Sequence, residues 1–338
     1  MEWIWPGRFA VGKLGIIAGL PDEGKGQILC DIAARITRPE SAWPCNEGIA
    51  PFGNVILLTA EDDIADTVHP RLKAAGADSD RVEIVQMVRE GESERMFSLI
   101  TDLAILRQKI FEVGDVRLVQ IDPISAYLGV KKIDSFRNTD VRAVLSPLVS
   151  LAAELRVGII GIMHFNKKTD VTNALLRISD SLAFGATARH VYAAINDPEN
   201  MRKLFVKGKN NLAPFEQKAL AYNFSVREVG TDEKTGEPIL APHIVWHPDY
   251  VDVTASEAMQ AAAESKSPAA RDTAKQFLTQ LLSNGPCPSA DVEEAAEANG
   301  VPRRTLFRAK AELRIVAMKD GPMKEGQRTW RWHLPQAE

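Results

Sequence analysis

Gly19-Leu20-Pro21-Asp22-Glu23-Gly24-Lys25-Gly26-Gln27 has the spacing G-x-x-x-x-G-K, and those residue types in that order suit the binding of a phosphate chain. Gly19 and Gly24 let the backbone turn so that successive N–H groups converge on an anion. Lys25 then meets the charge of the β- and γ-phosphates, and a helix opening at the lysine adds the positive end of its dipole. The chemistry implied is binding of a nucleoside triphosphate by residues 19–27. One position departs from the pattern: after the lysine, where a serine or threonine hydroxyl ordinarily holds Mg²⁺, stands Gly26. Metal binding then falls to other residues. The plainer alternative is a glycine-containing strand-to-helix turn.

Acidic residues recur at the ends of apolar runs. Val55–Ala60 ends in Glu61-Asp62-Asp63, and Val116–Ile121 ends in Asp122-Pro123. Open α/β sheets bind ligands at the carboxyl ends of their strands, so these positions can face a nucleotide. Glu61 suits the orientation of a water against the γ-phosphate, and Asp122 suits Mg²⁺, held directly or through water. The structural alternatives are helix capping, by Asp62 or Asp63 with Glu61 as a solvated partner, and by Asp122. A third run, Val157–Met163, ends at His164, which either packs structurally or senses the γ-phosphate. The loop that follows, Phe165–Ser179, contains Lys167 and Lys168, a basic pair beside that sensing edge. Arg189 lies in a helical-then-extended segment at 181–195. Lys207 and Lys209, two apart in the strand-like 203–211, share one face, as solvated charges or as cations reaching a phosphate across a subunit boundary.

Such groups need strands to deliver them. Apolar runs at 14–18, 55–60, 82–88, 116–121 and 157–163 read as strand segments, and the continuous run at 55–60 fits a parallel strand buried on both faces. Helical periodicity is expected at 28–36, 64–75, 97–110 and 138–155, a polar turn after Val88, and a surface excursion at 39–53. Trp3, Trp5 and Phe9 read as packing residues, against the domain or a neighbouring subunit. Segments 220–227 and 243–247 flank a turn at 230–236 and suggest an antiparallel addition to the sheet. The expected fold class is α/β with a mainly parallel central sheet over 1–253. A linker of small and polar residues, with helix in part of it, is expected at 254–270, and then a C-terminal domain at 271–338. That last part reads as helix, helix-turn-helix and hairpin, a winged-helix pattern. Its third helix carries Arg303, Arg304 and Arg308 and suits DNA or a protein partner.

The 338 residues are 45% hydrophobic and 25% charged with a net charge of -4, which is globular and argues against a chain coated in nucleic acid. From residue 266 onward, however, 12 Lys and Arg stand against 9 Asp and Glu, so this end is +3. Cys30, Cys45 and Cys287 have neither paired spacing nor nearby histidines, which speaks against a zinc site or a disulfide framework. No run approaches the roughly 20 apolar residues of a membrane span, so a cytoplasmic protein without membrane contact is expected.

Taken together, the motifs at 19–26, 55–63, 116–123, 157–164 and 203–211 resemble those of RecA-like P-loop ATPases. The resemblance is to the bacterial AAA-family proteins allied to plasmid-type hexameric replicative helicases, and it covers roughly residues 1–250. It implies ATP and Mg²⁺ as cofactors, Glu61 as the acid that polarises water, Asp122 as the metal-site acid and His164 as the γ-phosphate sensor. Lys207 and Lys209 then match the K-x-[KR] pair that reaches a neighbouring subunit's nucleotide, with Arg189 as a second candidate. The partners implied are DNA and further copies of the chain in a hexameric ring. The function expected is ATP hydrolysis driving a helicase or another motor on DNA. A nucleotide-gated DNA-binding regulator or loader with weak hydrolysis is the alternative, because Gly26 replaces the usual hydroxyl.

Overall fold

Residues with β-branched and apolar side chains on both faces fold only where both faces are covered, and this rule organises the first part of the chain. The computed structural model describes residues 1–90, 93–128, 138–166, 182–213, 217–232, 234–264, 268–283, 285–319 and 330–335. A small pair, β1 (Trp3–Trp5) and β2 (Phe9–Ala10), precedes β3 (Leu14–Gly19), which runs into the glycine loop and α1 (Lys25–Ile36). Next come β4 (Asn54–Thr59), α2 (His69–Ala75), β5 (Val82–Val85), the hairpin β6 (Met87–Glu90) and β7 (Ser93–Met96), and α3 (Leu103–Val113). They are followed by β8 (Val116–Asp122), α4 (Asn138–Leu155), β9 (Gly158–His164), α5 (Leu182–Thr187), β10 (His190–Asp197) and β11 (Arg202–Asn210). The long β12 (Ala219–Thr231) and β13 (Pro238–Val251) complete this part.

Nine strands form one sheet in the order β13-β12-β11-β10-β3-β9-β8-β4-β5. The pairs from β10 through β5 are parallel, and β12 with β13 is antiparallel. Thus the fold is α/β with a mostly parallel central sheet, and the strand before the glycine loop lies between β10 and β9. Ile16, Ile17, Val55, Ile56, Leu58, Leu118, Val119 and Ile121 are buried in it. Each such side chain contributes about 1.5–3 kcal/mol when fully buried. Helix α1 covers one face with Ile28, Ile32 and Ile36, all fully buried. Trp5 and Phe9 are core residues: Trp5 stacks on Trp43 with ring centroids 4.5 Å apart, and Arg8, fully buried, pairs with Glu47 at 2.6 Å.

Two local expectations are corrected. The region expected as a polar turn after Val88 is the β6–β7 hairpin, and the following helix starts at Leu103 rather than Phe97. Phe97 instead lies buried against Tyr127, ring centroids 6.1 Å apart, and so is spent on tertiary packing. The helix expected at 64–75 opens with a π-helical turn, Ile64–Val68, before α2 begins. Pro70, near the start of α2, has no N–H with which to continue an ordinary helical ladder.

By internal contacts the chain divides into one unit of Met1–Ile195 with Leu204–Ser256, and another of Asn196–Lys203 with Glu257–Glu338. Helix α6 (Ala255–Glu264) occupies part of the stretch expected to be a linker. Within the second unit α7 (Pro268–Leu282), β14 (Cys287–Pro288), α8 (Ser289–Ala298) and α9 (Arg303–Glu312) precede β15 (Val316–Lys319) and β16 (Trp330–His333). The three strands pair in the order β14-β16-β15. Leu278, Val292, Leu306 and Trp332 form the core of this unit.

Candidate nucleotide site

Strand register places the candidate groups along one edge. Gly19 of β3 lies opposite His164 of β9, and Thr59 of β4 opposite Asp122 of β8. The glycine loop, the Glu61–Asp63 turn, Asp122 and His164 therefore all leave the sheet at its carboxyl edge. Gln120, buried in β8, donates to the Leu29 carbonyl at 2.9 Å and so ties the strand carrying Asp122 to α1.

The loop itself is sterically specified. Gly24 has a left-handed φ of 83°, and a Cβ there would lie 2.7 Å from the Phe224 ring. A Cβ at Gly19 would lie 2.6 Å from the Ala194 carbonyl oxygen. Asp22 also takes a positive φ, 63°, and the fully buried Tyr222 hydroxyl donates to the Glu23 carbonyl. Leu20 is half-buried, Pro21 is exposed and Glu23 buried. Lys25, the first residue of α1, is buried and donates to the Leu20 carbonyl at 2.7 Å, closing the loop on itself. Burial lowers its pKa, against the opposing pull of Asp122, Glu23, Asp22 and Glu61.

Asp122, half-buried, ends β8, and its carboxyl is raised from 3.8 to about 7, by desolvation first and then by Asp62, with Lys25 opposing. Glu61 is 61% exposed, and its Oε2 lies 3.9 Å from His164 Nε2. Burial and then Lys25 lower the His164 pKa, which favours the neutral imidazole at pH 7. Asp63 accepts from the Asp66 N–H at 2.9 Å and caps the turn that follows. Asp62 does not cap: its Oδ2 accepts from Arg71 Nη1 at 2.6 Å. Gln27, in the amide orientation that satisfies both its groups, accepts from Arg71 Nε at 3.1 Å and donates to the Pro242 carbonyl at 3.0 Å.

Asp122 supplies one hard carboxylate where Mg²⁺ would sit beside a phosphate loop, and that donor fits. Gly26 supplies none. A Cβ there would fall 3.4 Å from Asp122 Oδ2, so the place for a hydroxyl is present and only the hydroxyl is missing. Among the described residues no cluster of three His, Cys, Asp or Glu has metal-holding geometry.

Other expected residues lie elsewhere. Arg189 is exposed, and its N–H bonds to the Leu14 carbonyl, at the end of β3 opposite the glycine loop. Lys209 is near it: its ammonium donates to the carbonyls of Gly185, Ala186 and Ala188 at 2.8, 3.1 and 2.8 Å, the C-terminal end of α5. Lys207 is half-buried on the same strand. Lys167 and Lys168 lie outside the described residues. On α9, Arg303 pairs with Glu293 at 2.7 Å, while Arg304 and Arg308 are exposed. Arg71, Tyr222 and Phe224 belong to the site but carry no sequence signal. They reach it from α2 and β12, and no motif spacing links those elements to the loop.

The family model described as AAA domain, AAA_25, matches residues 1–170. Among solved structures, one described as an ATPase domain aligns with 14% identity and a TM-score of 0.47, covering 72% of this chain and 86% of that one. No curated protein matches significantly. Among the described residues no helix is long and apolar enough to cross a membrane.

Proposed function

The chain belongs to the AAA_25 family of AAA domains, and on that premise we propose that residues 19–27 bind ATP and that Glu61 activates the water that hydrolyses it. The observation that carries this reading is the delivery of the glycine loop, Glu61, Asp122 and His164 to one sheet edge. Lys25 exchanges its bond to the Leu20 carbonyl for the β- and γ-phosphates, whose charge offsets its burial. Glu61, exposed beside that edge, accepts the proton of the attacking water, and the neutral His164 3.9 Å away can donate to the terminal phosphate and register its loss. Mg²⁺, bound at Asp122, would add charge neutralisation on the phosphates.

The work coupled to hydrolysis is proposed to be on DNA, as a helicase or another motor of replication or mobile elements. Support comes from the exposed Arg304 and Arg308 on α9, whose unit follows the helix, helix-turn-helix and hairpin pattern of a winged helix. Arg303, engaged by Glu293, contributes less. Lys167 and Lys168, directly after the His164 strand, are proposed as the nucleotide-coupled contact. Lys207, Lys209 and Arg189 are proposed to complete a neighbour's site in a ring. Gly26 favours one alternative, a nucleotide-gated DNA-binding regulator or loader with feeble turnover.

Calorimetric ATP binding together with steady-state phosphate release, each with and without DNA, separates these readings. Lys25→Ala is expected to abolish binding, and Glu61→Gln to bind ATP while lowering turnover by about 100-fold or more. Wild-type turnover in Glu61→Gln removes the base assignment. Phosphate release that stays negligible with DNA present favours the regulator.

A further inference from the structure

Gly26 is the second residue of α1, and its backbone does not require glycine. It has no left-handed φ, and a Cβ would meet only ordinary contacts, Asp122 Oδ2 at 3.4 Å and Arg71 Nη1 at 4.0 Å. Glycine is a weaker helix former than serine or alanine. The position therefore gives up both helix stability and a cation ligand where a serine would fit. The open space is bordered by the Asp122 carboxylate and, slightly further away, by the Arg71 guanidinium.

Arg71 reaches this point from α2 and is held on two sides, by Asp62 at 2.6 Å and by Gln27, the residue after Gly26, at 3.1 Å. Its side chain is 30% exposed, and the bonds to Asp62 and Gln27 use Nη1 and Nε. Arginine presents a planar array of donors that matches two phosphate oxygens at once, and it stays charged at every working pH. A guanidinium that borders the Gly26 space on the Asp122 side stands where a hydroxyl-held divalent ion would otherwise neutralise the phosphates.

We propose that Arg71 contacts the nucleotide phosphates and supplies charge neutralisation that a Ser/Thr-held Mg²⁺ would supply, so that nucleotide affinity depends only weakly on divalent cation. Asp62 is the positioning residue: its carboxylate orients the guanidinium toward the space that Gly26 leaves open. This assignment rests on the reading of residues 19–27 as a nucleotide site.

The test is the affinity of the full chain for a fluorescent, slowly hydrolysed ATP analogue, in excess Mg²⁺ and in EDTA. Wild type is expected to lose less than about tenfold on metal removal. Arg71→Ala should lose a further tenfold or so in EDTA and much less in Mg²⁺, and Arg71→Lys, which keeps the charge without the fork, should fall between. Gly26→Ser should restore steep metal dependence and rescue Arg71→Ala in Mg²⁺ only. Collapse of wild-type binding in EDTA overturns the proposal. So does an Arg71→Ala variant with wild-type circular dichroism and an unchanged ratio of the two affinities. Lys25→Ala distinguishes the deeper failure: unchanged affinity there removes the nucleotide site itself.

Discussion

Gly24 shows how a single position can be closed to every other side chain for two separate reasons. Its φ of 83° is left-handed, which costs an L-residue roughly 1–2 kcal/mol, and the Phe224 ring occupies the space a Cβ would need. Gly24→Ala is therefore expected to lower nucleotide affinity by at least about tenfold. The double variant Gly24→Ala/Phe224→Ala should recover part of that loss, because it relieves the clash but leaves the strain. Isothermal titration of the three proteins measures both contributions, and an affinity unchanged in Gly24→Ala would show that the loop tolerates another geometry. Gly26 is the opposite case, a glycine that neither space nor backbone demands. Two glycines of one motif thus have different physical causes, and only the first was evident from spacing.

Elements differ in how much of them could be read in advance. The parallel strands were legible because β-branched runs ending in Glu61, Asp122 and His164 can be buried on both faces only in such a sheet. The β6–β7 hairpin was not, because its exposed Met87 and Met96 give no alternation, and because Phe97 mimics the start of a helix. Within the site, Lys25 and Glu61 were legible from local spacing, whereas Arg71 and Phe224 depend on the packing of α2 and β12. The start of α3 illustrates the same dependence. Asp102, buried, accepts from Arg95 at 2.6 and 2.9 Å and from the Ser98 N–H at 2.8 Å. The Arg95 hydrogen bond, opposed by burial, holds its carboxyl below 3.8. A carboxylate lowered in the folded state contributes stability that is present above its unfolded pKa and is lost as pH falls through the folded one. Asp102→Asn should thus cost about 1–2 kcal/mol at pH 7, discounted for the partly exposed Arg95. The difference between the two proteins should shrink below pH 3.8, since protonation of Asp102 removes the same interaction. Urea midpoints across pH 3–7 measure it, and a pH-independent difference would assign the loss to packing alone.

For the molecule as a whole, the position of Arg189 and Lys209 decides what they can do. Both are at the end of β3 away from the glycine loop of their own chain, so in the ring proposed above a phosphate they contact would belong to another copy. Lys209 would have to leave the carbonyls at the end of α5, where burial and the charge of Arg189 lower its pKa. An incoming γ-phosphate offers stronger, charge-assisted hydrogen bonds than three neutral carbonyls do. Engagement of a neighbour's nucleotide would then release α5, which follows the segment containing Lys167 and Lys168, and would link the state of one site to the next subunit. Subunit mixing examines this directly. On the proposed roles, Lys209→Ala keeps the Glu61 carboxylate but lacks the cation that crosses the boundary, and Glu61→Gln keeps that cation but lacks the base, so each alone should hydrolyse little ATP. Mixed in equal amounts and allowed to exchange, about a quarter of head-to-tail interfaces would join the intact half of each, and phosphate release should rise toward that fraction of the wild-type rate. The same mixture with Lys207→Ala in place of Lys209→Ala asks which lysine crosses the boundary. Hydrolysis at the wild-type rate by a chain that stays monomeric with ATP would show that the site is complete in one copy. Both lysines would then serve their own subunit.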